Sequence, residues 1–128
     1  MSSLPTFRTR AVATVTGNKT LTAADSGIVQ NVVVANGSSV TVTLPSTALG
    51  LSFIIRNGSN NGDVLINVTP QAADGITGLG FTAAASKGAV ITAATAQAGD
   101  ELALVGTGTA GVTAYVVQNA VGAWLRQA

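Results

Sequence analysis

Short runs of alternating Val and Thr, each cut off by Asn-Gly, Pro or Gly, leave this chain little alternative to β-structure. Residues 39–44 (SVTVTL) send Val40, Val42 and Leu44 to one face and Thr41 and Thr43 to the other, the period-two signature of a half-buried strand. Pro45 stops that run, because proline cannot donate to a ladder. Residues 63–69 (DVLINVT) repeat the device, setting Val64, Ile66 and Val68 against Leu65 and Asn67 before Pro70. Residues 10–16 (RAVATVT) alternate Ala11, Ala13 and Val15 with Val12, Thr14 and Thr16, a strand with one face less apolar than usual. Residues 28–34 (IVQNVVV) follow, and Asn36-Gly37 between two β-rich runs predicts a tight hairpin into residues 39–44. The run 51–56 (LSFIIR) is the most apolar, and residues 89–93, 101–106, 112–118 and 123–126 supply the remaining strands.

No stretch of ten residues keeps a helical period. Residues 21–27 (LTAADSG) predict one helical turn or a tight loop, with Asp25 and Ser26 bonding nearby backbone amides. Residues 71–88, punctuated by Gly75, Gly78 and Gly80, carry no assigned element; a stretch of that length is either a functional loop or holds an element the pattern hides. Roughly eight or nine short strands at close spacing predict an all-β fold, a single compact antiparallel β-sandwich or barrel of jelly-roll-like form. It occupies residues 11–128 as one domain, behind an extended N-terminal arm at residues 1–10, where Ser2, Ser3 and Pro5 resist helix.

The chemistry open to such a chain is narrow. With no His and no Cys among its 128 residues, it has no Ser/His/Asp triad, no Cys nucleophile and none of the common structural zinc sites. An enzyme is therefore not expected, nor a cofactor or metal. Six Lys and Arg against five Asp and Glu leave a net charge of +1, without the clustered cations that nucleic acid needs. No apolar run reaches the length of a membrane span, and no secretory h-region follows the N-terminus, so neither a membrane nor export is expected. A monomer of this mass exposes roughly 6,200 Å². Charge makes up only 9% of the residues, well below the quarter usual for a domain, which predicts a surface largely covered by partners.

Four motifs read better as local structure or as chance. Gly106, Gly108 and Gly111 fit the spacing of a dinucleotide fingerprint, but that loop must open a helix and be followed by an acidic residue. Here a strand follows and no acid lies beyond Glu101, so a flexible hairpin is expected. Asn18, Asn36, Asn57 and Asn67 match the glycosylation acceptor pattern, at a rate that a chain rich in Ser and Thr produces by chance. Asp63 beside Asn57, Asn60 and Asn61 offers a single carboxylate, too few for a calcium loop. Asp100 and Glu101 are adjacent and point to opposite faces of a strand, which suits a solvated strand end rather than a glycosidase pair.

The chain ends differ from the rest. Aromatic residues and Arg are enriched at interface anchors, and they gather at both termini. Leu4, Pro5, Phe7, Arg8 and Arg10 lie in the arm, and Trp124, Leu125 and Arg126 close the chain; these eight are the candidate interface residues, the other reading of Trp124 being that it closes the core as part of the last strand. Phe53 and Phe81 are assigned to the core.

The succession TLTAADSG (residues 20–27), VTVTLPSTALGLSFIIRN (40–57), DVLINVTPQAADGITGLG (63–80) and a terminal Gly-x-Trp at Gly122 and Trp124 resembles the head decoration, or cement, proteins of tailed bacteriophages, together with related β-modules of phage fibres. That resemblance runs from about Val15 to Arg126 and rests on a rhythm of strands and turns. It implies a non-enzymatic virion protein that binds the outer capsid surface and stabilises the head lattice. Its partners would be the major capsid protein and itself, as a homotrimer or a dimer. It would be made in the bacterial cytoplasm and attached through an arm that maps to residues 2–10. The alternative it leaves is a receptor- or glycan-binding module of a tail fibre or spike, separable by copy number per particle.

Overall fold

The computed structural model describes residues 11–60, 62–82 and 84–128. Among these described residues eleven strands form, in chain order, β1 (Val12–Val15), β2 (Lys19–Thr20), β3 (Val29–Val32), β4 (Ser39–Thr43), β5 (Ser52–Asn57), β6 (Leu65–Thr69), β7 (Ile76–Thr77), β8 (Ala89–Ile91), β9 (Glu101–Gly106), β10 (Tyr115–Val121) and β11 (Leu125–Arg126). They build two sheets, one of six strands in the order β1-β3-β5-β9-β10-β7 and one of five in the order β11-β8-β6-β4-β2. The all-β reading is met, with more strands than the pattern predicts. The surplus comes from β2 and β7, two-residue strands too short to show a period.

From β1 to β6 the chain alternates between the sheets at every step, and strands that are neighbours within a sheet run parallel. Val12, Val29 and Ile54 align across β1, β3 and β5, while Thr20, Thr43 and Thr69 align across β2, β4 and β6. This half of the chain therefore winds around the core in stacked coils. Only later do antiparallel pairs appear, β5 with β9, β9 with β10, β6 with β8 and β8 with β11. The uniformly antiparallel, jelly-roll-like arrangement expected from sequence is corrected to a mixed two-sheet fold.

The hairpin expected at Asn36-Gly37 is corrected for the same reason. A two-residue turn there would oppose Val32 to Thr41 and Asn31 to Val42, and opposed residues share a face, so each face would mix apolar with polar. Instead residues 33–38 arch from one sheet to the other, letting Val32, Val40 and Val42 all point inward, each at most 1% exposed. Gly37 takes φ 79°, and its N–H donates to the carbonyl of Asp63, so this arch stacks on the one formed by the next coil. Gly58 N donates to Val32 O at 2.8 Å and Ser59 Oγ to the same carbonyl at 3.3 Å, completing the stack.

The core lies between the sheets. Val40, Val42, Leu44, Ile66, Val68 and Ile91 meet Val32, Phe53, Ile55, Leu102, Leu104 and Tyr115, and Phe53 and Tyr115 stack at 6.1 Å between ring centroids. Each such aliphatic or aromatic side chain contributes about 1.5–3 kcal/mol on burial. Phe81 packs against this core from its margin. The expected turn at residues 21–27 is a 3₁₀ turn over Ala23–Asp25, where Asp25 Oδ2 accepts from Thr22 N at 2.9 Å and Ser26 Oγ accepts from Ser52 N at 3.0 Å. The unassigned stretch 71–88 contains β7, which adds to the far edge of the six-stranded sheet beside β10. It is pinned by Asp74, whose Oδ1 accepts from Gly111 N at 2.9 Å.

Candidate functional site

The two sheets differ on their outward faces. On the five-stranded sheet, Thr41, Thr43, Asn67 and Thr69 face out beside the half-buried Leu65 and Val90, and Gln127 bonds to Asn67 and to Thr69, so that face is largely polar. On the six-stranded sheet the strands are apolar on both parities. Val12, Val29, Ile54 and Ala103 align in one outward row, and Val105 and Val116 pair nearby. A register shift in β10 between Val117 and Asn119 returns Val121 to the same face. Val29 and Ile54 are buried, yet both stand outside the contiguous core. Val12, Val116 and Val121 are 57%, 39% and 50% exposed.

The next row along this face is Thr14, Asn31, Arg56, Glu101 and Val121. Among the described residues it carries the sheet's only outward charges, Arg56 and Glu101, directly opposite one another on β5 and β9. Among those residues the one ion pair within 4.0 Å is Lys19 with Asp25, so Arg56 and Glu101 form none. A groove of about 470 Å³ opens here, lined by Val12, Val29, Asn31, Arg56, Gly58 and Glu101. Asn31 lies across Gly58, whose missing Cβ makes the room, since a Cβ there would meet the carboxamide. The Asn31 Oδ1 is buried with no hydrogen-bond partner.

The groove is held from beneath by Asn57, the inward neighbour of Arg56. Its Nδ2 donates to Gly62 O at 3.0 Å and Gln97 O at 3.1 Å, and its Oδ1 accepts from Ser59 N at 3.2 Å. These bonds fix the arch after β5 and the loop before β9, and so the two strand ends that present Arg56 and Glu101. With its side chain fully buried, Asn57 is closed to the glycosylation its motif suggested and to any calcium loop around Asp63.

Of the expected interface residues, those that are described fall elsewhere. Leu4, Pro5, Phe7, Arg8 and Arg10 lie outside the described residues. Trp124 is a correction: it is 5% exposed, belongs to the core and donates from Nε1 to Val121 O at 3.0 Å, so its ring anchors the last strand rather than a partner. Leu125 and Arg126 are exposed on β11, at the edge of the five-stranded sheet, and Arg126 Nη1 donates to Thr82 O at 3.1 Å. The C-terminal end does not mark the apolar face. The signal that does is the run Phe53-Ile54-Ile55, apolar at both parities, as in sheets covered on both sides.

The remaining polar groups are occupied structurally. The glycine-rich loop joins β9 to β10 as a hairpin, with Gly111 N taken by Asp74. Asp100 is buried rather than solvated, its Oδ2 accepting from Gln97 N at 2.6 Å, while Glu101 alone faces out. Tyr115 donates its hydroxyl to Pro45 O at 2.9 Å; burial, with a smaller contribution from the Asp74 charge, pushes its pKa up to about 12. Among the described residues no helix is long and apolar enough to cross a membrane. No protein-family model matches the chain, and no curated protein matches it.

Proposed function

We propose that this chain is a non-enzymatic structural protein of a phage virion, a decoration protein that binds the outer capsid surface and stabilises the head lattice. The observation that carries the reading is the outward face of the six-stranded sheet, where Val12, Val29, Ile54, Val105, Val116 and Val121 surround a single opposed charge pair. An apolar sheet face marks a contact surface, and the sparse charge of the whole chain suits a protein whose work is contact. Its partners in this reading are the major capsid protein and further copies of itself, in a closed homotrimer or dimer, with residues 1–10 as an extended arm onto the shell. The mechanism is mass action: each bound copy bridges neighbouring capsid subunits and lowers the free energy of the intact shell relative to separated capsomers.

The test is addition of purified protein to undecorated capsids of the phage that encodes it. Regular extra density on the shell and increased resistance to heat and low salt are expected. Capsids with neither overturn the reading, and a handful of copies per particle, rather than hundreds, assigns the chain to a tail fibre instead.

A further inference from the structure

Resting on the self-assembly part of that reading, we infer that the outer face of the six-stranded sheet is a two-fold interface to a second copy of this chain, in which Arg56 of each copy enters the groove of the other and pairs with its Glu101. Charge complementarity selects this occupant. The strands of this face present one cation and one anion as direct cross-strand neighbours, unpaired with each other or with any other described residue. A two-fold rotation about an axis passing between them lays each charge over its opposite. A face built this way is complementary to its own copy, the condition for an isologous interface.

The groove supplies the second argument. About 470 Å³ of open space over a carboxamide whose oxygen lacks a partner is unfinished packing, and it sits beside an unpaired carboxylate. An incoming guanidinium carries five N–H donors, enough for a bidentate contact with Glu101 and one further bond to the Asn31 oxygen once that amide turns outward. The area agrees. Six strands about 4.8 Å apart and roughly 17 Å long give a face of roughly 500 Å² per copy, so a pair buries about 1,000 Å², the size a specific contact must reach.

The experiment uses the full chain and two charge-reversal variants, R56E and E101R, with mass in solution measured by sedimentation across a concentration series. Wild type is expected to dimerise. Each variant alone sets like charges together at both contacts and is expected to weaken the dimer about 100-fold or more. Mixed one to one, the variants restore opposite charges at both contacts, one as the native pair and the other with its two signs exchanged, and dimer returns. That rescue in trans distinguishes a contact between copies from a pair within one copy, which mixing cannot repair. Both residues are on the surface, and circular dichroism of each variant confirms the fold. A monomeric wild type, or variants that dimerise as well alone as mixed, overturns the inference; this includes the outcomes in which residues 1–10 or the capsid cover the face. A monomer that still protects capsids overturns the dimer and leaves the decoration reading standing, whereas a dimer without effect on capsids does the reverse.

Discussion

Asn57→Ala removes the side-chain clamp at the end of β5 while leaving the backbone able to fold. Alanine keeps the main-chain bonds, Asn57 N to Asp100 O at 2.8 Å and Gly99 N to Asn57 O at 2.7 Å. It deletes three side-chain bonds, to Gly62 O, Gln97 O and Ser59 N. The carbonyls of Gly62 and Gln97 each retain one donor, from Val64 N and Asp100 N, but the buried Ser59 N–H loses its acceptor. With about 0.5–1.5 kcal/mol per net bond and about 1–3 kcal/mol for an orphaned buried amide, the expected cost is about 3 kcal/mol. For a chain of this size that lowers the melting temperature by roughly 10–15 °C. Urea unfolding followed by the fluorescence of Trp124, the single tryptophan, at fixed protein concentration reads the change directly. Asn60→Ala, at an exposed neighbour, is the control and is expected to stay within about 0.5 kcal/mol. Asn57→Asp sets a carboxylate against two carbonyls, and is expected to be at least as destabilising at neutral pH and partly relieved in acid. An Asn57→Ala protein within about 1 kcal/mol of wild type, at unchanged denaturant dependence, refutes the clamp and with it the account of how Arg56 and Glu101 are positioned.

Gly88→Ala places a Cβ against the backbone carbonyl of Val68 and 2.9 Å from Pro70 Cδ, where β6 and β8 approach; loss of at least about 2 kcal/mol is expected in the same assay, and a neutral result refutes the close approach. Read by circular dichroism during urea unfolding, Trp124→Ala is expected to cost about 3–5 kcal/mol and Leu125→Ser less than about 0.5, which separates a core ring from its exposed neighbour; comparable small losses refute the burial of Trp124. Tyr115, the only tyrosine, is expected to titrate at about 12 rather than near 10 when followed by phenolate absorbance. Because its folded pKa lies above the unfolded one, its contribution is fully present below about pH 10 and is lost as pH rises toward 12, and Tyr115→Phe removes that part of the alkaline loss. A titration midpoint near 10 in the folded protein refutes it.

Local periodicity and turn chemistry carried the strand assignments a long way. Val40, Val42 and Leu44, and Val64, Ile66 and Val68, point inward as their alternation requires, and the core assignment of Phe53 holds because burial and parity agree there. Pairing was less legible. Asn36-Gly37 encodes a bend, and whether a bend closes a hairpin or an arch depends on which distant strand offers the matching face. For β3 that strand is β5, not β4. The apolar outer face was less legible for a related reason: the aromatic and Arg composition of the C-terminal end does not distinguish a contact residue from one that closes the core, and Trp124 closes the core.

The sequence by itself determined that this chain would be strands around an aliphatic core and would carry no imidazole or thiol, because side-chain period and residue type are local properties. Only the tertiary structure decided that β1, β3 and β5 lie side by side in parallel, and that Arg56 stands opposite Glu101. Those contacts join residues far apart along the chain, and a sheet face exists only once its strands have been set in register.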